Sequence, residues 1–340
     1  MRGLGQRQAI LGFALVLFVA STGCGRVNYD PLAAKGDLDG GSLLIDASKE
    51  DIDGGANCAS AVVTGSYDGD GTRGRVIDTG VQPGLVILQS DTGKEAIIRM
   101  ATMPNDRSKS LNGQQATATG LISHATNGFT VGSDDRVNQV GQPYHWVALP
   151  LSAGISGGEY DGNGATQSIT GLGFRPEWVL VADEGDGAPV VRMQQSGNFT
   201  YRLDLGDSVP DGVTSLDPDG FSLGSRPFSN DSGRHFHYVA WRSTPGIIAT
   251  GGYVGDGAVG RDISGLGLTP SYVMTHGSTI GLIHRFASLS VGSALAVTTQ
   301  APIPSTITDF GADWFTLGAS NAVNGLGVDY RYSAFATCSP

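Results

Sequence analysis

The chain has 340 residues, 52 of them glycine, with 16% charged residues and a formal net charge of −11. So much glycine with so little charge points to turns and strands rather than helices, and the length accommodates two or three domains. Removing residues 1–23, which carry Arg2 and Arg7 and no acid, leaves −13; a surface that acidic argues against a nucleic-acid partner, because phosphate backbones select clustered Lys and Arg.

The chain opens with a short basic stretch and the apolar run Ala9–Ala20, followed by Ser21-Thr22-Gly23-Cys24. The run is shorter than the roughly 20 apolar residues of a transmembrane helix and has the size of a secretory h-region. Small residues directly before a cysteine resemble the lipobox of bacterial lipoproteins. That resemblance implies cleavage after residue 23, lipid on Cys24 and attachment to a membrane through it. An ordinary secretory signal is the alternative. Gly25 after the cysteine is similar to lipoproteins sorted to the outer membrane of Gram-negative bacteria, so the expected location is outside the cytoplasm, on that membrane.

Residues 24–57 change character. Gly36-Asp37-Leu38-Asp39-Gly40-Gly41 and Glu50-Asp51-Ile52-Asp53-Gly54-Gly55 are acidic and glycine-rich, too poor in apolar groups to offset the entropy of ordering. Neither piece supplies the spaced ligands and terminal glutamate of an EF-hand loop. The segment reads as a flexible acidic tether.

From Ser66 onward the same marks occur three times. Tyr67-Asp68-Gly69-Asp70-Gly71, Tyr160-Asp161-Gly162-Asn163-Gly164 and Tyr253-Val254-Gly255-Asp256-Gly257 open the copies, their tyrosines 93 residues apart. Pro83, Pro176 and Pro270 each precede an apolar run. Asn127-Gly128-Phe129, Asp219-Gly220-Phe221 and Asp313-Trp314-Phe315 come next. Tyr144-His145-Trp146-Val147-Ala148, Phe236-His237-Tyr238-Val239-Ala240 and Tyr330-Arg331-Tyr332-Ser333-Ala334 close the copies. Marks in a fixed order at a near-constant period indicate repeats, with boundaries at 58–150, 151–243 and 244–340. Within a copy, short apolar runs such as Val179–Val181, Val190–Met193, Phe221–Leu223 and His235–Trp241 alternate with Asp-Gly or Asn-Gly turn chemistry. Seven or eight strands in about 93 residues predict an all-β, jelly-roll-like β-sandwich per copy. Val147–Ser152 passes into the next copy without a linker, so the copies must pack together, as a linear stack or a closed pseudo-threefold ring.

Cys58 lies nine residues before Tyr67 and Cys338 four after Ala334; Thr244 lies nine before Tyr253 and four after Ala240. The two cysteines thus share the junction position that Thr244 fills. With Cys24 lipidated, an exported compartment permits a Cys58–Cys338 disulfide joining the ends of the array.

Candidate chemistry is sparse. Gly154-Ile155-Ser156-Gly157-Gly158 matches the nucleophile-elbow string, but a strand and a turn follow where the elbow needs a helix. His235 and His237 share one strand face by alternation, a ligand-like pair. No third ligand recurs nearby, and neither a metal nor a cofactor is expected. His237 aligns with His145 and Arg331, which predicts a solvent-facing basic position between buried aromatics. Arg99, Arg192 and Arg285 recur inside apolar runs, 93 residues apart. Each either staples turn carbonyls or lines an anion- or sugar-binding surface. Trp178 and Trp241 are candidates to stack on sugar rings, although Trp178 aligns with Leu85 and Tyr272 as a packing position. No carboxylate pair recurs in all copies, so a glycosidase has no anchor.

The ordered motifs Tyr-x-Gly-Asp/Asn-Gly, Gly-Leu-Gly-Phe-x-Pro (Gly171–Pro176), Asp-Gly-Phe-x-Leu-Gly and the closing aromatic-x-aromatic-x-Ala resemble a β-rich repeat of phage tail and tail-fibre-like proteins and of bacterial secreted proteins. The likeness covers Ser66 to Ala336 and is clearest in the second copy; the first has Gly80-Val81-Gln82-Pro83 in place of Gly-Leu-Gly-Phe-x-Pro. It implies a non-catalytic role in structure or surface recognition. The expected function is a lipid-anchored head that binds a glycan or envelope protein or supports envelope structure. A polysaccharide-active envelope enzyme is the alternative.

Overall fold

The structure is a computed structural model that describes residues 62–104, 107–113, 121–194, 196–197, 199–204, 206–277, 280–298 and 301–337. The leader, Cys24, the tether, Cys58 and Cys338 lie outside the described residues.

Each opening motif folds into a locked turn. Tyr160 donates its hydroxyl proton to Ser229 O at 2.6 Å, and Tyr253 donates to Val323 O at 2.7 Å; Tyr67 makes the same bond to Val137 O. Two residues on, a glycine is required. A Cβ at Gly69, Gly162 or Gly255 would sit 2.1 Å from a backbone carbonyl oxygen of the facing loop. The tyrosine then stacks on the first aromatic of the closing motif, its direct cross-strand partner: Tyr67 on Tyr144, Tyr160 on Phe236 and Tyr253 on Tyr330, at 5.2–5.3 Å.

Around these pairs the first segment forms β1 (Val63–Asp68), β2 (Arg75–Asp78), β3 (Leu85–Ser90), β4 (Ile97–Met100), β5 (Lys109–Ser110), β6 (Ile122–Ala125), β7 (Gly128–Val131), a helical turn α1 (Asp135–Asn138) and β8 (Pro143–Leu149). The second forms β9 (Ile155–Asp161), β10 (Gln167–Thr170), β11 (Trp178–Asp183), β12 (Val190–Met193), β13 (Phe199–Arg202), β14 (Ser208–Pro210), β15 (Val213–Asp217), β16 (Gly220–Leu223), α2 (Pro227–Asn230) and β17 (His235–Trp241). The third forms β18 (Ile248–Val254), β19 (Arg261–Ser264), β20 (Tyr272–Gly277), β21 (Ile280–Phe286), β22 (Ser293–Ala296), β23 (Ile303–Pro304), β24 (Ile307–Phe310), β25 (Trp314–Leu317), α3 (Asn321–Asn324) and β26 (Asp329–Phe335).

The sheets are antiparallel throughout, and each segment carries a large and a small one. The large sheets run β1-β8-β3-β4-β5, β9-β17-β11-β12-β13-β14 and β18-β26-β20-β21-β22-β23; the small ones run β2-β7-β6, β10-β16-β15 and β19-β25-β24. Large and small sheets face each other across an apolar core, giving the all-β sandwich architecture expected from the sequence. In lobe two that core holds Val179, Val181, Phe221, Leu223, Phe236 and Tyr238.

The large sheets are apolar on their second face too. Leu85 and Ile87 of β3, Trp178 and Leu180 of β11, and Tyr272 and Met274 of β20 meet in a fourth core shared by all three lobes. Among the described residues this central core is the largest of the four. The runs in β3, β11 and β20 are continuous rather than alternating because both faces are buried: all six residues of each strand are inaccessible. Trp178 and Trp241, read from sequence as candidates to stack on a sugar, are each 1% exposed and stack on each other at 5.6 Å in this core.

Each lobe touches both others. Between lobes one and two, Lys109 Nζ meets Asp183 Oδ1 at 2.7 Å and Arg107 meets Glu184 at 2.8 Å. Between lobes two and three, Trp241 Nε1 donates to Ser333 Oγ at 2.9 Å and Tyr201 packs on His276. Between lobes three and one, Ala96 N donates to Val297 O at 2.9 Å and Gln89 Nε2 donates to Ala296 O at 2.8 Å. The three lobes form one compact unit.

Candidate functional site

The recurrent arginines sit at equivalent places, each at the end of the strand that precedes a long turn. Arg99 donates to Met103 O at 2.8 Å and to Arg107 O. Arg285 donates to Leu289 O at 3.0 Å, Ser290 O at 2.8 Å and Ser293 O. Arg192 donates to Phe199 O at 3.1 Å. Arg99, Arg192 and Arg285 are 2%, 7% and 3% exposed. They are buried staples that hold their own turns, so a ligand-binding row of surface guanidiniums has no surface to act from. Burial lowers the pKa of Arg192 and Arg285, and the turn carbonyls compensate the charge.

The basic position of the closing strand is also not where alternation placed it. His145 is 5% exposed and His237 is fully buried. The face that alternation assigns to solvent is the face that packs on the next lobe. His145 Nδ1 bonds Ser288 Oγ of lobe three at 2.8 Å, and His237 Nδ1 bonds Thr102 Oγ1 of lobe one at 2.9 Å. Arg331 is half-buried and lines a cleft of about 180 Å³ at the seam of lobes two and three, with Tyr201, His276 and Asp329.

The Gly154–Gly158 string lies within and just before β9, which continues to Asp161. It is one edge strand of a sheet, without the strand-to-helix turn an elbow requires.

The described residues bring one further cluster together. β9 and β17 pair in the register His235↔Asp161 and His237↔Glu159, and directly opposed residues share a face. His235 Nε2 lies 3.3 Å from Glu159 Oε2, and His237 Nδ1 lies 3.8 Å from the same oxygen. The outer nitrogens are held by other carboxylates: His235 Nδ1 by Asp161 Oδ1 at 2.8 Å, and His237 Nε2 by Glu184 Oε1 at 3.2 Å. The bond from Asp161 raises the His235 pKa, with Glu159 adding to it, while burial lowers that of His237. Glu159 is the residue the sequence missed. It lies 78 positions from His237, and only the strand register brings them together. The signal was present in Glu159-x-Asp161, whose alternation matches His235-x-His237.

Beside the cluster a cleft of about 520 Å³ is lined by Glu184, Gly185, Asp186, Gly233, Arg234 and His235. Arg234 bridges Asp183 at 2.6 Å, Asp231 at 2.8 Å and Asp186 at 3.4 Å, a polar wall at the edge of the seam. No family model matches the chain, and neither does any curated protein.

Proposed function

We propose that the chain is an exported, lipid-anchored protein of the bacterial outer membrane, held through Cys24, whose three tandem repeats close into a pseudo-threefold head that binds a surface glycan or an envelope protein without catalysis. The observation that supports this reading most is the shared central core. A head whose lobes are fixed against one another loses little conformational freedom on binding, so more of each contact appears as affinity. Side chains for contact stand at the opening-turn ends of lobes one and three, where Val140, Val259 and Leu326 are 69%, 82% and 81% exposed. The likeness to phage-tail and tail-fibre-like repeats supports recognition.

The test is to express the full chain and its Cys24→Ser variant in a Gram-negative host, fractionate the cells, and probe the purified proteins against a glycan array and envelope extracts. The account expects fatty-acid label and outer-membrane location for the parent, a soluble periplasmic variant, and saturable binding by both. Membrane retention of Cys24→Ser, or hydrolysis of an arrayed polysaccharide, overturns it.

A further inference from the structure

His237 packs lobe two on lobe one through Thr102, but nothing in the proposed recognition role uses Glu159, His235 and His237 as a set. We propose that these three side chains bind a divalent transition cation of the zinc class at the seam of lobes one and two, through Glu159 Oε2, His235 Nε2 and His237 Nδ1, with a fourth position open to water.

The donor geometry supports this first. The three ligating atoms lie within 4.8 Å of one another. Zn–N and Zn–O bonds of about 2.0–2.1 Å set donors roughly 3.3 Å apart in a tetrahedron. The His235–Glu159 edge is already 3.3 Å, and the His237–Glu159 edge is 3.8 Å. The third edge, between the two imidazole nitrogens, is no longer than 4.8 Å, and a rotation of the partly exposed His235 ring, followed by the half-exposed Glu159, closes the triangle. Two histidines and one carboxylate suit zinc and its neighbours, whereas calcium needs six to eight oxygens.

The outer contacts support it independently. Each imidazole has its second nitrogen on a carboxylate, Asp161 for His235 and Glu184 for His237. That arrangement fixes the ring and its tautomer in metal centres. Glu184 is itself held by Arg107 at 2.8 Å. Thr102 Oγ1, which bonds His237 Nδ1 at 2.9 Å and also donates to Gly158 O at 3.3 Å, must swing to another rotamer when a cation takes the nitrogen, and Gly158 O offers its proton a second acceptor. The donors stand on paired strands rather than on loops, which keeps them in place.

The third support is that, among the described residues, only lobe two carries the set. The residue pair His237↔Glu159 is His145↔Ser66 in lobe one and Arg331↔Gly252 in lobe three; His235↔Asp161 is Pro143↔Asp68 and Asp329↔Val254. A histidine bonded to a neighbouring lobe's hydroxyl recurs in lobe one, where it does seam packing. The added carboxylates and second histidine of lobe two have no counterpart that packing alone requires.

The experiment is titration of the full chain, its thiols alkylated, with Zn²⁺ by calorimetry and with Co²⁺ by visible absorption. The expected result is one saturable site with a tetrahedral Co²⁺ spectrum. Binding should weaken at least tenfold in His235→Gln and in Glu159→Gln, both partly exposed positions, and about 10–100-fold in Asp161→Asn. His145→Gln, the matching position of lobe one, should bind as the parent does. Absence of a saturable site, or binding unchanged in His235→Gln and Glu159→Gln, overturns the proposal and makes the cluster a surface ion pair.

Discussion

Val62, just before β1, and Thr337, two residues beyond β26, pair in a parallel bridge. At the other two seams the continuous chain places a neighbouring position against the same residue in a local antiparallel bridge, Ser152 with Ile155 and Thr244 with Ile248. Val62, Ile155 and Ile248 each stand five residues before an opening tyrosine. The two ends of the head therefore meet where the other lobes are joined by peptide bonds.

That placement supports a Cys58–Cys338 bond as the missing covalent junction. Cys58 stands four positions before Val62, and Cys338 directly follows Thr337, so both cysteines are within a short reach of the bridge. Peptide mapping without reductant should recover one fragment containing both cysteines; two freely alkylated thiols would remove the link. Opening so long a loop should cost up to about 5 kcal/mol by the chain-entropy model, read as a fall in the denaturation midpoint of Cys58→Ser.

Asn138, Asn230 and Asn324, each the last residue of a helical turn, are fully buried and clamp the opening motif of their lobe. Asn230 accepts from Asn163 N at 2.9 Å and donates to Gly224 O at 2.7 Å; Asn324 accepts from Asp256 N at 3.0 Å and donates to Ala258 O at 2.9 Å. Asn230→Ala should destabilise by about 2–3 kcal/mol, because the buried Gly224 O and the opening-turn Asn163 N and Ala165 O lose a hydrogen-bond partner together. Urea unfolding checks this; a change under about 0.5 kcal/mol, typical of a neutral surface substitution, would refute the clamp.

Acid should weaken the seams. His276 packs on Tyr201 of lobe two, and His284 bonds Tyr272 at 2.8 Å and Gln89 of lobe one at 2.6 Å. Burial pushes their pKa down to about 4 and about 3, against about 6.5 in an unfolded chain. Below 6.5 the unfolded state binds more protons, so stability is present above that pH and is lost as pH falls toward the folded values. Each histidine contributes on the order of 3 kcal/mol by this linkage. Denaturation midpoints should drop between pH 7 and pH 4.5, and His284→Gln should flatten that slope. Equal midpoints at the two pH values would count against it.

Lys109 and Asp183 form an ion pair that is 0% and 3% exposed at the seam of lobes one and two. Lys109→Ala leaves Asp183 with Arg234 alone and should cost about 3 kcal/mol. Lys109→Met, which fills the same volume, should still cost most of that, since the buried carboxylate loses the Lys109 ammonium either way. Thermal melts of the two variants decide; a parent-like melt for either contradicts a buried pair.

The sandwich class and its strands were legible because turn chemistry and apolar runs are local signals. Asp219 shows how literal that signal was: its carboxylate accepts from Gly171 N at 3.1 Å and Gly173 N at 2.7 Å, tying two of the recurrent motifs together. Asp313 does the same for Gly265 and Gly267. What the sequence hid was the second face of the large sheets. Alternation assigns His237 to solvent, and Trp241 reads as a candidate to stack on a sugar; packing between lobes covers both. The buried asparagines escaped because a four-residue helical turn has no period to detect. The arginines were visible as a row, but only the turns that follow them show which partners they serve. Glu159 escaped because its partners are distant in the chain.

Scanning calorimetry of the full chain tests most directly whether the lobes are one closed body around a shared core. The account predicts a single transition with equal calorimetric and van't Hoff enthalpies, shifted as a whole by Trp178→Ala, which should cost about 3–5 kcal/mol. Separate transitions, with Trp178→Ala moving only one of them, would contradict it.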